Sequence, residues 1–372
     1  MILKHNINLF LDSGAIISSD SKHVMIGYGQ SENRKYEELE PDKPAFYFPD
    51  FFLSQNKPWL QFSRSECISI EVLKTMLLES GLQSDLKSGL AWNPPCKDQF
   101  NYQFNHLKSL FVQKILQKAV PYVFSFSDSS VSSGQLCSSL MKSLSYIQSY
   151  PCHLYGFWNN QEGVLGVTPE LLFEYGNPEN SESEESMHLS AHTSVLTTMA
   201  LAGTSPKGEC LNSFVRNPKE LREHQLAIDG IKRSLHYLGP LSTGKITVLE
   251  LPGLNHLMTP LSVVATRKIE FENVVRNLHP TPALGAFPRE AGFDWLNAYD
   301  KHTRRDRFGA PAGILYARHT RGKVVVAIRN VQWNESGMKI GAGCGVIQES
   351  QCEREWNEIQ LKLNAVKELL DL

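Results

Sequence analysis

The sequence predicts an α+β fold in which strands dominate and a few long helices are interspersed. Three observations carry this. Strand-length apolar runs follow one another directly, as in HLYGFWN (153–159) and VLGVTPELLFEYG (164–176). Helical spacing is confined to a few longer segments. The two patterns do not alternate in the strand–helix–strand order that a parallel sheet needs. The chain has 372 residues, 41% hydrophobic and 20% charged, enough apolar content for a large core.

The elements follow in order. MILKHNINLFLDSG (1–14) carries a short apolar stretch broken by His5, Asn6 and Asn8, with no small-residue cleavage site. It is expected to be a strand and not a signal peptide. KPAFYFPDFFL (43–53) reads as strand and SIEVLKTMLLESGL (69–82) as helix. FNYQFNHLKSLFVQKILQKAV (100–120) has helical spacing at Leu107, Leu110 and Phe111; Pro121 ends it, and YVFSFS (122–127) follows as strand. The runs at 153–159 and 164–176 turn at Gln161, Glu162 and Gly163. PENSESEESM (178–187) is acidic and serine-rich, the composition of a solvated hairpin tip. MALAGTSPKG (199–208) is strand and turn. KITVLEL (245–251) and HLMTPLSVVATRKI (256–269) are strands turning at PGLN. VVVAIRNVQWNESGMKIGAGCGVI (324–347) is a hairpin around Asn334 to Gly337. A helix over 351–371 closes the chain.

Composition excludes several classes. The net charge is -2, with no basic stripe for nucleic acid or a membrane surface. No run approaches the roughly 18 apolar residues of a membrane helix. Seven scattered cysteines, an odd number without a C-x-x-C pair, read as reduced thiols of a cytoplasmic protein. The sequence leaves the oligomeric state open, a monomer being one expectation.

Two helices repeat one device. In NPKELREHQL (217–226), Asn217 is an N-cap, Pro218 fits the first helical position, and Glu220 can bond back to the cap amide. Leu221, Ile228, Ile231, Leu235 and Leu238 form its apolar face, and Gly239-Pro240 stops it. Glu223 lies one turn beyond Glu220. In the last helix Ser350 caps, Glu353 closes the box, and Trp356, Ile359, Leu363, Val366 and Leu370 make the stripe. Glu355 and Glu358 stand three apart on another face, with Lys362 one turn on. Each helix alone reads as a solvated acidic face. Four carboxylates facing one pocket would instead require a cation, and an all-oxygen donor set suits Mg²⁺.

TPELLFEYG, ALAGTSPKG, ELREHQLAID, NLHPTPALGAFPRE, VVVAIRNV and GAGCGVIQESQCEREWNEIQLKL occur in this order. Together they resemble the chorismate-utilising enzymes, which include isochorismate, anthranilate, aminodeoxychorismate and salicylate synthases. The resemblance covers about residues 100–372, with 1–99 as a diverged N-terminal part of one domain. It implies two large antiparallel sheets packed around the active site, with flanking helices, as in anthranilate synthase component I. It also implies Mg²⁺ held between the two acidic helices, by Glu223 and Glu358 with Glu220 and Glu355 in support. Glu170 matches the general acid. Lys118, near a helix end, matches the general base, with Lys114 as its competitor. Arg329 and Lys362 match carboxylate-binding positions. Gly203 and Gly343 match glycines that approach the substrate, and Thr204, His224 and His279 are placed around the site.

LHPTPALGAFPRE (278–290) looks like the isochorismate branch, of menaquinone or siderophore type. Ala202 stands where aminodeoxychorismate synthases carry a lysine nucleophile, which leaves room for water. The implied chemistry is water attack at C2 of chorismate with loss of the C4 hydroxyl. Salicylate synthase, the anthranilate and aminodeoxychorismate reactions, and an inactive chorismate-binding homologue are the alternatives. Ser205, where relatives carry arginine, and Phe308, where many carry tyrosine, depart from the family pattern.

Overall fold

The computed structural model describes residues 7–82, 90–176 and 194–372. The acidic segment 178–187 lies outside them. Elements are numbered in chain order. One continuous antiparallel path runs β11 (Leu241–Thr243), β13 (Leu254–Val264), β10 (Val195–Pro206), β9 (Leu171–Gly176), β16 (Gly322–Val326), β15 (Pro311–Leu315), β3 (Ala45–Tyr47) and β4 (Trp59–Ser69). It continues through β2 (His23–Arg34), β1 (Gly14–Ser18), β7 (His153–Trp158), β8 (Glu162–Thr168), β17 (Asn330–Asn334), β18 (Gly337–Gly343) and β6 (Tyr122–Ser127). β12 (Thr247–Glu250) pairs with β13.

The path doubles back at the long β2 and β4 strands, giving two half-sheets face to face. Ala15, Ile17, Tyr155 and Phe157 from one half pack against Phe46, Phe62, Ile314 and Val325 from the other. Phe48 and Phe157 meet across this seam at 5.0 Å between ring centroids. Helices cover the outer faces. α2 (Ile70–Glu79), α3 (Lys97–Val112), α4 (Ser133–Ser149) and α9 (Cys352–Leu370) bury their apolar stripes in one cluster. α6 (Pro218–Leu235) and α7 (Phe271–Leu278) do so in another. Strands such as β16 and β15 are therefore buried on both faces, and their sequences are apolar without alternation except for Lys323, whose buried ammonium donates to the Ser18 carbonyl at 2.8 Å.

The serine-rich side of α4 has a specific use. Ser139 donates to the Leu370 carbonyl, while Ser138 and Lys142 hold the Asp371 carboxylate. These groups satisfy the carbonyl end of α9 and anchor the helix that carries Glu355 and Glu358.

Several local expectations change. The N-terminal strand is instead a short helix, α1 (Ile7–Asp12), closed by the Trp158 indole donating to the Phe10 carbonyl at 2.7 Å. The helix expected over 100–120 ends at Val112, because Lys114 adopts a left-handed conformation. Lys118 thus lies not near a helix end but on β5 (Lys118–Ala119), which pairs with β14 (Ala286–Phe287) and β19 (Val346–Ile347) in a small separate sheet. Ser350 does not cap α9: its hydroxyl accepts from the Ile347 amide at 3.1 Å, and Glu353 pairs with Lys97 at 2.9 Å. Asn217 does cap α6, accepting from the Lys219 amide at 3.0 Å, but Glu220 turns elsewhere.

Truncating Ile314 to alanine in the inter-sheet core is expected to cost about 2–5 kcal/mol in urea-denaturation stability. A shift under about 1 kcal/mol would show that the half-sheets do not pack face to face.

Candidate functional site

The site forms where strands leave one half-sheet for the other. β8 passes to β9 through Thr168, Pro169 and Glu170, and β16 passes to β17 through Ala327, Ile328 and Arg329. The two bends are hydrogen-bonded side by side: the Val326 amide donates to the Glu170 carbonyl at 3.0 Å, and the Val167 amide to the Arg329 carbonyl at 3.2 Å. Beside them, β10 breaks register between Leu201 and Thr204. Gly203 in this bulge has φ +81°, and a Cβ would crowd the Glu220 carbonyl at 3.2 Å. Three irregularities thus aim Glu170, Arg329 and the Gly203–Thr204 backbone at one cavity, which Glu223, Glu358 and Lys362 also line.

Glu170 is 4% exposed, and burial pushes its carboxyl up to about 7, outweighing Lys118, Thr281 and Lys362. The Thr281 hydroxyl lies 3.4 Å from Oε1. A carboxyl of this kind holds a proton near neutrality and can donate it.

Arg329 has φ +54°, a left-handed conformation that costs a non-glycine residue about 1–2 kcal/mol. Its guanidinium donates to His256 Nε2 at 3.0 Å. Guanidinium has no acceptor, so His256 is neutral with the proton on Nδ1, which faces Thr204 Oγ1 at 3.2 Å. Burial holds the His256 pKa well below the ordinary value, helped by Arg329. The Thr204 amide then donates to Glu220 Oε2 at 2.9 Å. A hydrogen-bonded chain therefore runs from Arg329 to the acidic helix α6.

At that end the carboxylates gather on an ammonium. Lys219 Nζ lies 3.2 Å from Glu220, 3.1 Å from Glu223 and 3.3 Å from Glu355. Burial disfavours the Lys219 charge, but the surrounding carboxylates hold its pKa above the usual lysine range. Burial raises Glu355 to about 7, helped by Glu358, and raises Glu220 as well. Glu223 is held at about 2: burial opposes its charge, and Lys118 and Lys219 together prevail. The fourth acid, Glu358, pairs with Lys362 at 2.7 Å, whose ammonium also donates to the Gly343 carbonyl at 2.8 Å. Among the described residues no ready metal-binding cluster is assembled, because Lys219 stands between the acids. The donors nevertheless fit a hard divalent cation: all are carboxylate oxygens, and Glu355 Oε2 is buried with no hydrogen-bond partner.

Lys118 is fully buried, with Nζ 3.0 Å from Glu223 Oε1 but off the line of a well-formed hydrogen bond, so the contact is chiefly Coulombic. Lys114 is exposed and takes no part. Gly345 makes the Lys118–Glu223 approach possible, since a Cβ there would stand 1.9 Å from Glu223 Oε1. A Cβ on Gly343 would press the Pro121 carbonyl at 2.9 Å.

Two predicted lining residues turn away. His224 bridges the Ala202 carbonyl at 2.9 Å and Thr259 Oγ1 at 2.8 Å, fixing α6 to the sheet, with its pKa lowered to about 4 by burial. His279 Nε2 donates to the Phe51 carbonyl at 2.6 Å, and burial lowers its pKa to about 3. Neither lines the cavity; both are supports. Sequence reasoning missed His256, Thr281, Lys219 and Gly345. His256 carried a signal, a titratable residue inside a predominantly apolar strand; Lys219 carried another, one turn before Glu223.

The cavity is compact, about 80 Å³. A larger open cleft of about 780 Å³ lies elsewhere, beside Lys301 and Asp306. Its Arg307 is paired with Glu162 and its Lys339 with Asp306, and among its described residues it has no buried carboxyl with a raised pKa such as Glu170 supplies in the smaller one.

Residues 137–371 match the family model of chorismate binding enzymes. The salicylate biosynthesis isochorismate synthase of Pseudomonas aeruginosa is 30% identical over 46% of this chain and 38% of its own length. The vibriobactin-specific isochorismate synthase of Vibrio cholerae is 25% identical over 73% of this chain and 66% of its own. The matches thus span 38% and 66% of these relatives' own lengths. Among solved structures, MenF, the menaquinone-specific isochorismate synthase from Escherichia coli, superposes with a TM-score of 0.75 at 17% identity. That match covers 100% of this chain and 91% of MenF and shows a shared fold. Anthranilate synthase component I from Streptococcus pneumoniae superposes at 0.67, with 13% identity and 90% and 82% coverage.

Substituting Gly345 by alanine drives a methyl into Glu223 and toward Lys118. The expected result is a loss of about 1–3 kcal/mol in chemical denaturation. An unchanged midpoint would show that Glu223 is not held where described.

Proposed function

The chain belongs to the chorismate-binding enzymes, and from that premise we propose that it is an isochorismate synthase, isomerising chorismate with Mg²⁺ as cofactor. The supporting observation is one buried cavity that Glu170 lines, with its proton retained near neutrality, and that Lys118 approaches beside Gly345. In this reading the Lys118–Glu223 ion pair is given up before the reaction, and the Lys118 amine then takes a proton from water as the water oxygen bonds to C2. The ring double bonds shift, and the C4 oxygen leaves as water after receiving the Glu170 proton. One water is added and one released, so the product is an isomer of the substrate.

Arg329 would hold the pyruvyl carboxylate in bidentate contact, with Lys362 as the second carboxylate-binding group. Gly203 and Gly343 leave room for the ligand backbone-close, and Thr204 lies at the same wall. Glu220, Glu223, Glu355 and Glu358 would hold Mg²⁺, whose contribution is to neutralise and orient the ring carboxylate. Lys219 must withdraw for those acids to converge. Ala202 at the cavity wall offers no side-chain nucleophile, consistent with water as the attacking group. A cytoplasmic location and supply of isochorismate to a menaquinone or siderophore route belong to the same proposal. No helix among the described residues is long and apolar enough to cross a membrane.

The direct test incubates purified protein with chorismate and Mg²⁺ and resolves products by chromatography, with an EDTA control. Isochorismate is expected only with metal, and Glu170→Gln should lower turnover by roughly 10²–10⁴-fold. Salicylate with pyruvate would move the reaction to the lyase branch. Unconsumed chorismate, with or without ammonia, would leave a ligand-binding homologue.

The pH profile carries a second expectation. Glu170 must be protonated to donate, and its pKa is raised by burial to about 7. The limb set by Glu170 should therefore descend as pH rises through that value. A descending limb near the ordinary glutamate range would remove Glu170 from the acid role.

A further inference from the structure

We infer that Tyr155 and Asn330 act together as positioning residues, holding Arg329 in the left-handed backbone conformation that directs its guanidinium into the cavity. The inference rests on the reading of Arg329 as the carboxylate-binding residue. It begins from a conflict. A left-handed residue between two buried strands is ordinarily glycine, which needs no support there. Position 329 requires a side chain, so the surrounding structure must impose the conformation.

The restraint is visible on the side of the bend away from the cavity. Tyr155 on β7 is fully buried in the inter-sheet core. Its phenol donates to the Ile328 carbonyl at 2.8 Å and accepts from Asn330 Nδ2 at 2.9 Å. Asn330 Nδ2 also donates to the Ala327 carbonyl at 2.7 Å. The residues flanking Arg329 on both sides, together with Ala327, are thus tied to one phenol–amide pair. Gly166 leaves the space, since a Cβ there would meet the Tyr155 hydroxyl at 2.5 Å and Asn330 Cβ at 2.7 Å. Neither Tyr155 nor Asn330 lines the cavity, so each can influence a ligand only through the Ile328–Arg329 bend, of which Arg329 carries the charge. On the cavity side the guanidinium meets His256, with Tyr146 and Cys152 in electrostatic reach. Those groups orient the side-chain tip; they do not set the backbone.

A purely structural role for the pair would show itself in stability alone. The positioning role predicts that Tyr155→Phe, which keeps the ring and removes the hydroxyl, raises KM for chorismate about tenfold while kcat changes less than about threefold. Asn330→Ala should act in the same direction. In an Arg329→Ala background the Tyr155→Phe change should have no further effect on KM, because the group it positions is gone. Unchanged KM with a lowered melting temperature, or KM effects that multiply in the double variant, would overturn the inference. A second readout does not depend on turnover. Crystal structures of the wild-type protein and Tyr155→Phe should show Arg329 with positive φ in the first and relaxed, with its guanidinium displaced, in the second. If the wild-type protein leaves chorismate untouched, the proposed function falls and the crystallographic comparison decides alone. Arg329 left-handed and in place in Tyr155→Phe would then sink the positioning role.

Discussion

Charge removed from water must find compensation, and the arrangement of this site follows from that requirement. Three carboxylates from two helices converge on the Lys219 ammonium, and a fourth pairs with Lys362. Without those cations the acids would repel one another and force α6 and α9 apart. With them, the helices are drawn together over the mouth of a cavity whose other walls come from the sheet. The same logic explains the divergent states of the buried carboxyls. Glu223, between two ammoniums, is held ionised; Glu170, with no ammonium in contact, retains its proton.

The sheet contributes through its irregularities. Regular strands present side chains to one face or the other, and neither face of a fully covered half-sheet offers a cavity. The bends after β8 and β16 and the bulge in β10 break that alternation at neighbouring points. Functional groups appear where the ladder is interrupted, on short segments whose ends are fixed by long buried strands.

Much of this was legible in the sequence. Many strand segments along the chain, the hairpin around Asn334 to Gly337, and the two long acidic helices follow from apolar periodicity and turn chemistry. The elements lost to sequence reasoning share a cause: tertiary partners overrode local signals. Glu220 has the spacing of a capping residue, yet a backbone amide from β10 and a lysine one residue away hold it. Ser350 and Glu353 have the spacing of a capping box and serve other neighbours. Lys118 follows a helical pattern but lies beyond the helix, because Lys114 turns the chain into the small sheet. His224 and His279 look like ligand-facing groups in a motif; each binds a backbone carbonyl, and His224 also the Thr259 hydroxyl, that only folding brings near. That the two acidic helices face each other could be read from family likeness alone, since no local pattern encodes a distant encounter.

The paired bends have one more implication. Glu170 and Arg329 are spaced by amide-to-carbonyl bonds between adjacent chain segments, and such bonds are indifferent to which side chains surround them. The gauge that separates Glu170 from Arg329 is therefore built from backbone groups that side-chain substitution leaves in place. Side chains packed against the two bends can change without breaking those backbone bonds. Drift is then free to alter the walls of the cavity while the interval stays constant.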